Sequence, residues 1–483
     1  MSVRDANGEV PHRVDAAALE LDRDPTPPLR LRYALGARSE TDLSPVFMHP
    51  QGPRLYAQGR AWLALPTAWT DRFAFDLEVA VPSKEHEVAT SFGLGEKVSV
   101  RATTQELTAM DLLAGDLNWA RFSTDQGQDV AVALGPTNYD FRWIAAETAG
   151  VRTSIDAFFG AASSAPFTFL FVPVRRSYDQ AMVRARQTSA ASLTAYAQDF
   201  AQWDRAARMP IAHLLAHRWL GGMLRVVDER PEDGVWFSQG FSRYVAREVL
   251  FELGTLDEIE YLAELNELEA AAITSRWSGS PMDALVEAGT ADAATVAAAR
   301  GALYAARLDR ALRERHQSLG GFLHGWLYEA QQQDSGGSIA RGDFQARVER
   351  VVGPDAAQAL ETMVVEGSSL ELPDDAYGPC FRRIKARYEG TAIGWASERF
   401  SGEPMLVPGL DPQGPAAAAG VRPSDRLEAV EYSPGEPFGT VRMDLRRGDD
   451  VVTVAYEARG KSAVGRGWVR RKGVAPDLCL ERG

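Results

Sequence analysis

The segment Ile211-Ala212-His213-Leu214-Leu215-Ala216-His217-Arg218-Trp219 carries two histidines four residues apart, and Trp236-Phe237-Ser238-Gln239-Gly240-Phe241-Ser242-Arg243-Tyr244 follows a short stretch later. On a helix, residues i and i+4 share a face, so both imidazoles can reach one cation. Where that spacing serves zinc-dependent hydrolysis, a Glu directly after the first His takes a proton from metal-bound water. Leu214 stands in that place, and a hydrocarbon side chain accepts no proton. Taken alone, the spacing favours a packed or solvated pair over a metal site.

Other chemistries find less support. Ser238 lacks the Gly two positions before it that a nucleophile elbow requires. His12, His49, His86, His316 and His324 lie scattered in unrelated segments and are given no role. The two cysteines, Cys380 and Cys479, exclude a disulfide framework and an all-Cys zinc site; one bridge or two free thiols are equally compatible with the sequence. A formal charge of -14, from 52 Lys+Arg against 66 Asp+Glu, repels phosphate backbones, so nucleic acid is not expected as a partner. No apolar run approaches the ~18 residues of a membrane span. The N-terminus lacks the basic start and apolar stretch of a secretory leader, which points to the cytoplasm, or to the periplasm if a leader has been removed.

The elements that must position the two histidines change in texture along the chain. From about Leu29 to Ala145, short apolar or alternating runs such as residues 54–65 and 73–82, broken by Pro, Gly and Asp, suit a β-sandwich. Residues 166–172 read as a buried strand, and Ala-, Arg-, Leu- and Glu-rich stretches predict helices over 178–206, 209–219, 239–252, 257–275, 292–315 and 318–332, with Gly pairs at 221–222 and 336–337 as loops. After Pro373 the pattern returns to strands. Residues 405–432 give a strand, a short Ala-rich helix after Pro415 that ends at Gly420, and a strand over 426–430, an order that resembles a PDZ domain.

His213-x-x-x-His217-x-Trp219 followed by the Trp-Phe-Ser-x-Gly-Phe-x-x-Tyr segment resembles the glycyl aminopeptidase-like family of metallopeptidases, whose members read HExxHxW and WFSEGFTxYY. Gly301 to Arg313 with Ser318-Leu319 looks like that family's KGALLALLLDLxIR…SLD helix pair, Ala89 to Phe92 like the end of a sandwich strand, Phe159 to Phe171 like its lead-in strand, and Val365-Glu366-Gly367-Ser368 like its VxGT loop. The resemblance implies a multidomain α+β chain: an N-terminal β-sandwich over 1–150, a mainly helical thermolysin-like catalytic-type domain over 151–375, and a C-terminal PDZ-like domain over 376–483.

It also implies a metal set of His213, His217 and Gln239, with Trp236, Tyr244 and Gly367 at binding positions. Here the chain departs from the family. Gln239 replaces the Glu of WFSEG, and a neutral amide leaves a cation less compensated. Leu214 replaces the general base. The family's GGLEH segment falls near residues 184–189, which have neither the Gly pair nor the Glu-His, and its Tyr aligns with Ala297 to Ala299. The reading is a degenerate, gluzincin-type peptidase homologue that binds no zinc or binds it weakly, and that takes peptides or protein segments without efficient hydrolysis. The alternative is an active metal-dependent aminopeptidase with an unforeseen ligand and a remote base such as Glu248 or Glu229. A groove in the C-terminal region is expected between a strand near Ile393-Gly394-Trp395-Ala396 and a later helix.

Overall fold

A computed structural model describes the chain apart from residues 1, 15–18, 35–37, 40–45, 50–53, 66–70, 82, 125–126, 138, 161–165, 175–182, 190, 199–201, 229–230, 333–336, 398–403, 433–438 and 480–483. It comprises two compact units, residues 1–118 with 132–136, and residues 119–131 with 137–483.

The first unit is built on a six-stranded sheet in which Asp111–Gly115 lies between Glu87–Thr90 and Arg54–Gln58. A second pair, Phe73–Glu78 with Lys97–Ala102, runs antiparallel, and the alternating burial of Phe73–Glu78 gives it one inward face. The run over 54–65, read as one of the short apolar runs of a β-sandwich, is strand as far as Gln58 and turns helical over Gly59–Trp62. There the Gly59 N–H donates to the Met110 carbonyl, which ends the ladder, and Trp62 packs with Leu107 and Met110.

A five-stranded sheet, most of it in the second unit, is ordered Leu117–Thr124, Gly127–Leu134, Thr168–Val174, Ser192–Gln198, Val183–Ser189. This corrects the helix expected over 178–206: among the described residues, 183–189 and 192–198 are strands and helix begins only at Arg205. The alanines there suggested a helix. Yet Ser192–Gln198 is buried from Ser192 to Ala197 between two neighbours and runs parallel to Thr168–Val174, and that pairing overrides the weak helical preference. Residues 175–182 and 199–201 of that expectation lie outside the described residues.

The helices that follow are Arg205–His217, Ser242–Glu252, Glu258–Thr274, Ala291–Arg313 and Leu319–Gln332. Helices Phe141–Phe158, Met282–Ala288, Arg341–Val352 and Pro354–Val364 had no counterpart in the sequence reading. Phe141–Phe158 buries Phe141, Ile144, Ala145, Thr148, Ala149, Val151, Arg152, Ile155 and Asp156, so its inner face mixes apolar and charged groups. No helix among the described residues is long and apolar enough to cross a membrane.

Two further layers complete the unit. Phe381–Thr391 pairs antiparallel with Arg459–Arg470 and rests on Glu258–Thr274, where Asn266 bonds both backbone groups of Trp468 (2.8 and 3.0 Å) and the Trp468 indole donates to Glu269. A four-stranded sheet, Met405–Leu406, Arg426–Glu431, Thr440–Arg447, Asp450–Glu457, closes over Val407, Ala416, Val421, Leu427, Val441, Met443, Leu445 and Val454. The helix Pro415–Ala418 stands between the first two strands of this sheet in sequence, and Gly420 follows it. Of the expected groove, Ile393–Ala396 is irregular rather than strand, its chain fixed by Ala396 N–H to Pro408 and Asp411 N–H to Gly394. The later helix Pro415–Ala418 begins beside it: a Cβ on Gly394 would lie 3.0 Å from the Ala416 nitrogen.

Cys380 and Cys479 form a buried disulfide across 99 residues, with Cα atoms 5.2 Å apart. Closing a loop of that length restricts the unfolded chain by roughly 4 to 5 kcal/mol in the chain-entropy account. Replacing both cysteines by alanine is therefore expected to lower the melting temperature, and reductant is expected to lower that of the parent alone. Identical melting of parent and double variant would show that the bond does not contribute.

Candidate functional site

The site is assembled from three pieces of chain. The first is the helix Arg205–His217, begun by Asp204, whose carboxylate accepts from the Ala206 N–H at 2.9 Å. His213 and His217 emerge on one face with ring centroids 6.0 Å apart. The end of this helix is fastened immediately afterwards. Trp219 stacks on Phe159 at 5.2 Å and donates its indole N–H to Asp156 at 2.9 Å, while Arg218 lies 3.7 Å from the same carboxylate. Asp156 also faces Arg152, which pairs with Asp129. Burial pushes the Asp156 carboxyl up, against the pull of Arg218 and Arg152.

The second piece is the turn at Gly221. With φ at +110°, it brings backbone so close to His217 that a Cβ there would lie 2.9 Å from the ring Cε1 and 2.9 Å from Ser238 Cβ. Only glycine satisfies both the conformation and the space.

The third piece is Trp236–Phe241, a π-helical turn that runs into the helix Ser242–Glu252. Such widened turns often mark functional sites. Its backbone touches that of Ala291–Arg313: a Cβ on Gly240 would fall 2.6 Å from Gly301 Cα, and one on Gly301 1.8 Å from the Trp236 carbonyl oxygen. Around this contact Trp236 meets Phe237, Phe241, Tyr304 and Phe344 edge to face. These aromatic contacts fix the turn from which Gln239 projects.

Gln239 joins the two histidines. Its carbonyl oxygen accepts from His213 Nε2 at 2.8 Å, and its amide nitrogen donates to His217 Nε2 at 3.0 Å. This arrangement assigns the proton to Nε2 of His213 and to Nδ1 of His217. Burial holds the His213 imidazole down to about 4, with the Gln239 bond opposing it and His217 and Arg243 adding to it; burial also lowers His217. At neutral pH the trio is uncharged and mutually hydrogen-bonded.

Three of the residues singled out from sequence, His213, His217 and Gln239, therefore meet at one point. Leu214 sits half-buried on the same helix and brings no polar atom. The candidate remote bases do not join them. Glu248 is buried against Arg247 and Tyr261, and Glu229 lies outside the described residues. Trp236 and Tyr244 are inside the core, Tyr244 donating to Asp309 at 2.8 Å, so neither offers a surface to a ligand. Gly367 is a buried turn residue behind Ser280. Ala297 and Ala299 are buried on the long helix.

A zinc site needs charge-compensating donors, and this donor set is two neutral imidazoles and an amide. Among the described residues no group of three His, Cys, Asp or Glu side chains converges on one point. The Glu264 carboxylate is committed to Arg243 and to Arg205, the latter at 3.0 Å; burial alone would raise its carboxyl, and those guanidinium groups hold it below the ordinary range. The residues present do not fit a tightly held zinc ion. The amide bridge, the Asp156 anchor and the π-helical turn were not legible in the sequence, because each depends on distant chain.

No protein-family model matches the chain, and a search of curated proteins finds no match either. Solved structures do match. An aminopeptidase N family protein from Idiomarina loihiensis superposes with a TM-score of 0.65 at 16% identity, over 99% of this chain and 90% of that one. An M1 zinc metallopeptidase from Deinococcus radiodurans gives 0.51 at 18% identity, over 77% of this chain and 85% of that one. At such identities the likeness speaks for the fold, and the chain has a mixed α and β, multidomain fold resembling that of the M1 aminopeptidases.

Proposed function

We propose that this chain is a degenerate metallopeptidase homologue, of the glycyl aminopeptidase-like type with a C-terminal PDZ-like region, that binds peptide or protein segments without efficient hydrolysis. The observation that carries the reading is the Gln239 amide, which satisfies both imidazoles at the position where a third ligand would bring negative charge. Leu214 supports it from the same helix: a missing general base costs typically ~10²- to 10⁴-fold in rate. A cavity of about 570 Å³, lined by Ile393 to Ala396 and by Arg276, Asp292 and Asp411, offers room for a peptide in the second unit. The oxidised Cys380–Cys479 pair favours the periplasmic over the cytoplasmic assignment, since such bonds persist in oxidising compartments.

One observation favours a second reading, an active metal-dependent aminopeptidase. The Nε2 atoms of His213 and His217 both point at a single amide, as two ligands of one cation would.

Metal content separates the two. Protein purified without chelator is expected to lose its zinc on dialysis, whereas stoichiometric zinc that survives dialysis supports the active enzyme and removes the degenerate reading. Replacing Leu214→Glu together with Gln239→Glu is expected to tighten zinc binding by roughly tenfold or more, without restoring full peptidase activity. Unchanged zinc affinity in that double variant would contradict the ligand role given to position 239.

Burial of the two imidazoles also predicts how they titrate. The His213 ring signal in proton NMR is expected to stay in its neutral position from pH 8 to 5 and to move only near about 4. Because this value lies below that of the unfolded chain, protonation favours unfolding. The contribution to stability is complete above the ordinary histidine range and is lost as pH falls below it. A His213 signal that titrates at or above that range would mean that the ring is not buried in the way described.

A further inference from the structure

The four-stranded sheet of the C-terminal region ends on Asp450–Glu457, and among the described residues no strand pairs with its outer side. Which backbone groups face outward follows from the hairpin. Arg447 and Asp450 are paired across the two-residue turn Gly448-Asp449, with Gly448 at φ +66°. A two-residue turn makes its closing pair a hydrogen-bonded one, and such pairs alternate along the ladder. Residues 450, 452, 454 and 456 thus bond inward to Thr440–Arg447. Val451, Thr453, Ala455 and Glu457 turn their N–H and C=O groups to the open edge.

This edge is one wall of a second cavity, of about 510 Å³. The other wall is the end of the helix Pro415–Ala418 and the chain after it, with Ala417, Ala419, Gly420, Val421 and Arg422. Val452 and Val454 send their side chains to the core face, so a strand added to the edge would place every second side chain against this wall. The wall's alanines are small enough to leave that space open. Two arginines stand at the cavity. Arg447 is held by both oxygens of Asp425 (2.9 and 2.7 Å) and by the Gly420 carbonyl. Arg422 is exposed, and its guanidinium makes no hydrogen bond or ion pair among the described residues.

We infer that Asp450–Glu457 is a docking edge for an extended internal peptide segment, which adds as a fifth strand and presents one acidic side chain to Arg422. Main-chain pairing supplies affinity in such strand addition, and the pockets for alternate side chains supply selectivity. An internal segment fits better than a C-terminal one, because both ends of the edge are acidic, Asp449-Asp450 at one and Glu457 at the other, and repel a terminal carboxylate. The inference rests on the peptide-binding reading for its class of ligand and adds a surface distinct from Ile393–Ala396.

The test uses the full chain and an acetylated, amidated eight-residue peptide of alternating valine and threonine with one central glutamate and a lysine at each end. Hydrogen–deuterium exchange is expected to show new protection over 451–457. Changing the peptide's glutamate to glutamine is expected to weaken binding about threefold, as is Arg422→Ala, and the two changes together no further. Ala455→Pro removes an outward N–H while sparing the ladder, so the fold is kept and both peptides are expected to bind at least about tenfold more weakly.

Protection confined to Ile393–Ala396 would overturn this surface while leaving the peptide-binding reading in place, and no protection anywhere would count against both. Full binding by the Ala455→Pro protein, a preference for the free-carboxylate peptide, or protection of 451–457 in unliganded protein that is lost on dilution, would each overturn the inference; the last would assign the edge to a second copy of this chain.

Discussion

Two glycines, Gly240 and Gly301, let the π-helical turn Trp236–Phe241 and the helix Ala291–Arg313 meet backbone to backbone. Any side chain at either position would have to occupy space already held by main-chain atoms, which cannot yield as a flexible side chain can. Because the turn is held this close, Trp236 reaches the aromatic cluster with Tyr304 and Phe344, and Gln239 is carried to the two imidazoles. The geometry of the candidate site is therefore set by packing on its far side, among residues buried in the core.

The opposite end of the site is held by charge. Asp129, Arg152, Asp156 and Arg218 are all nearly inaccessible, and they tie the strand Gly127–Leu134, the helix Phe141–Phe158 and the exit of the histidine helix together. Buried ions of this kind add little net stability relative to apolar packing, but removing one partner leaves an uncompensated charge. Such a cluster favours one arrangement of its elements over near alternatives. Here that arrangement includes the direction in which His217 points, because Trp219 and Arg218 follow it directly.

How much of this was legible depends on how local each signal is. The histidine pair and the Trp-Phe-Ser-Gln-Gly segment stood out because residue type and spacing on one helix carry the information. The helices Glu258–Thr274 and Ala291–Arg313 were legible because both are long runs dominated by the strong helix formers Ala, Leu, Glu and Arg. The strands Val183–Ser189 and Ser192–Gln198 were not, since their state is decided by a parallel neighbour separated in sequence. Trp236 and Tyr244 were placed at binding positions through the family resemblance alone; in the fold they are core. The Gln239 substitution itself was visible, but that its amide would bond both histidines at once follows only from the three-dimensional approach of two elements.

The amide bridge has a direction. His213 donates to Gln239, and Gln239 donates to His217, so three groups form a short polar wire whose proton positions are mutually dependent. To run it the other way, the amide must turn over and both rings must exchange tautomers in one concerted rearrangement. No member is thus independent: replacing either histidine strands one half of the amide and removes the reason for the other ring's tautomer. The energetic effects of changing His213 and His217 are accordingly non-additive, and the site behaves as a single unit with one orientation rather than as three neighbouring side chains.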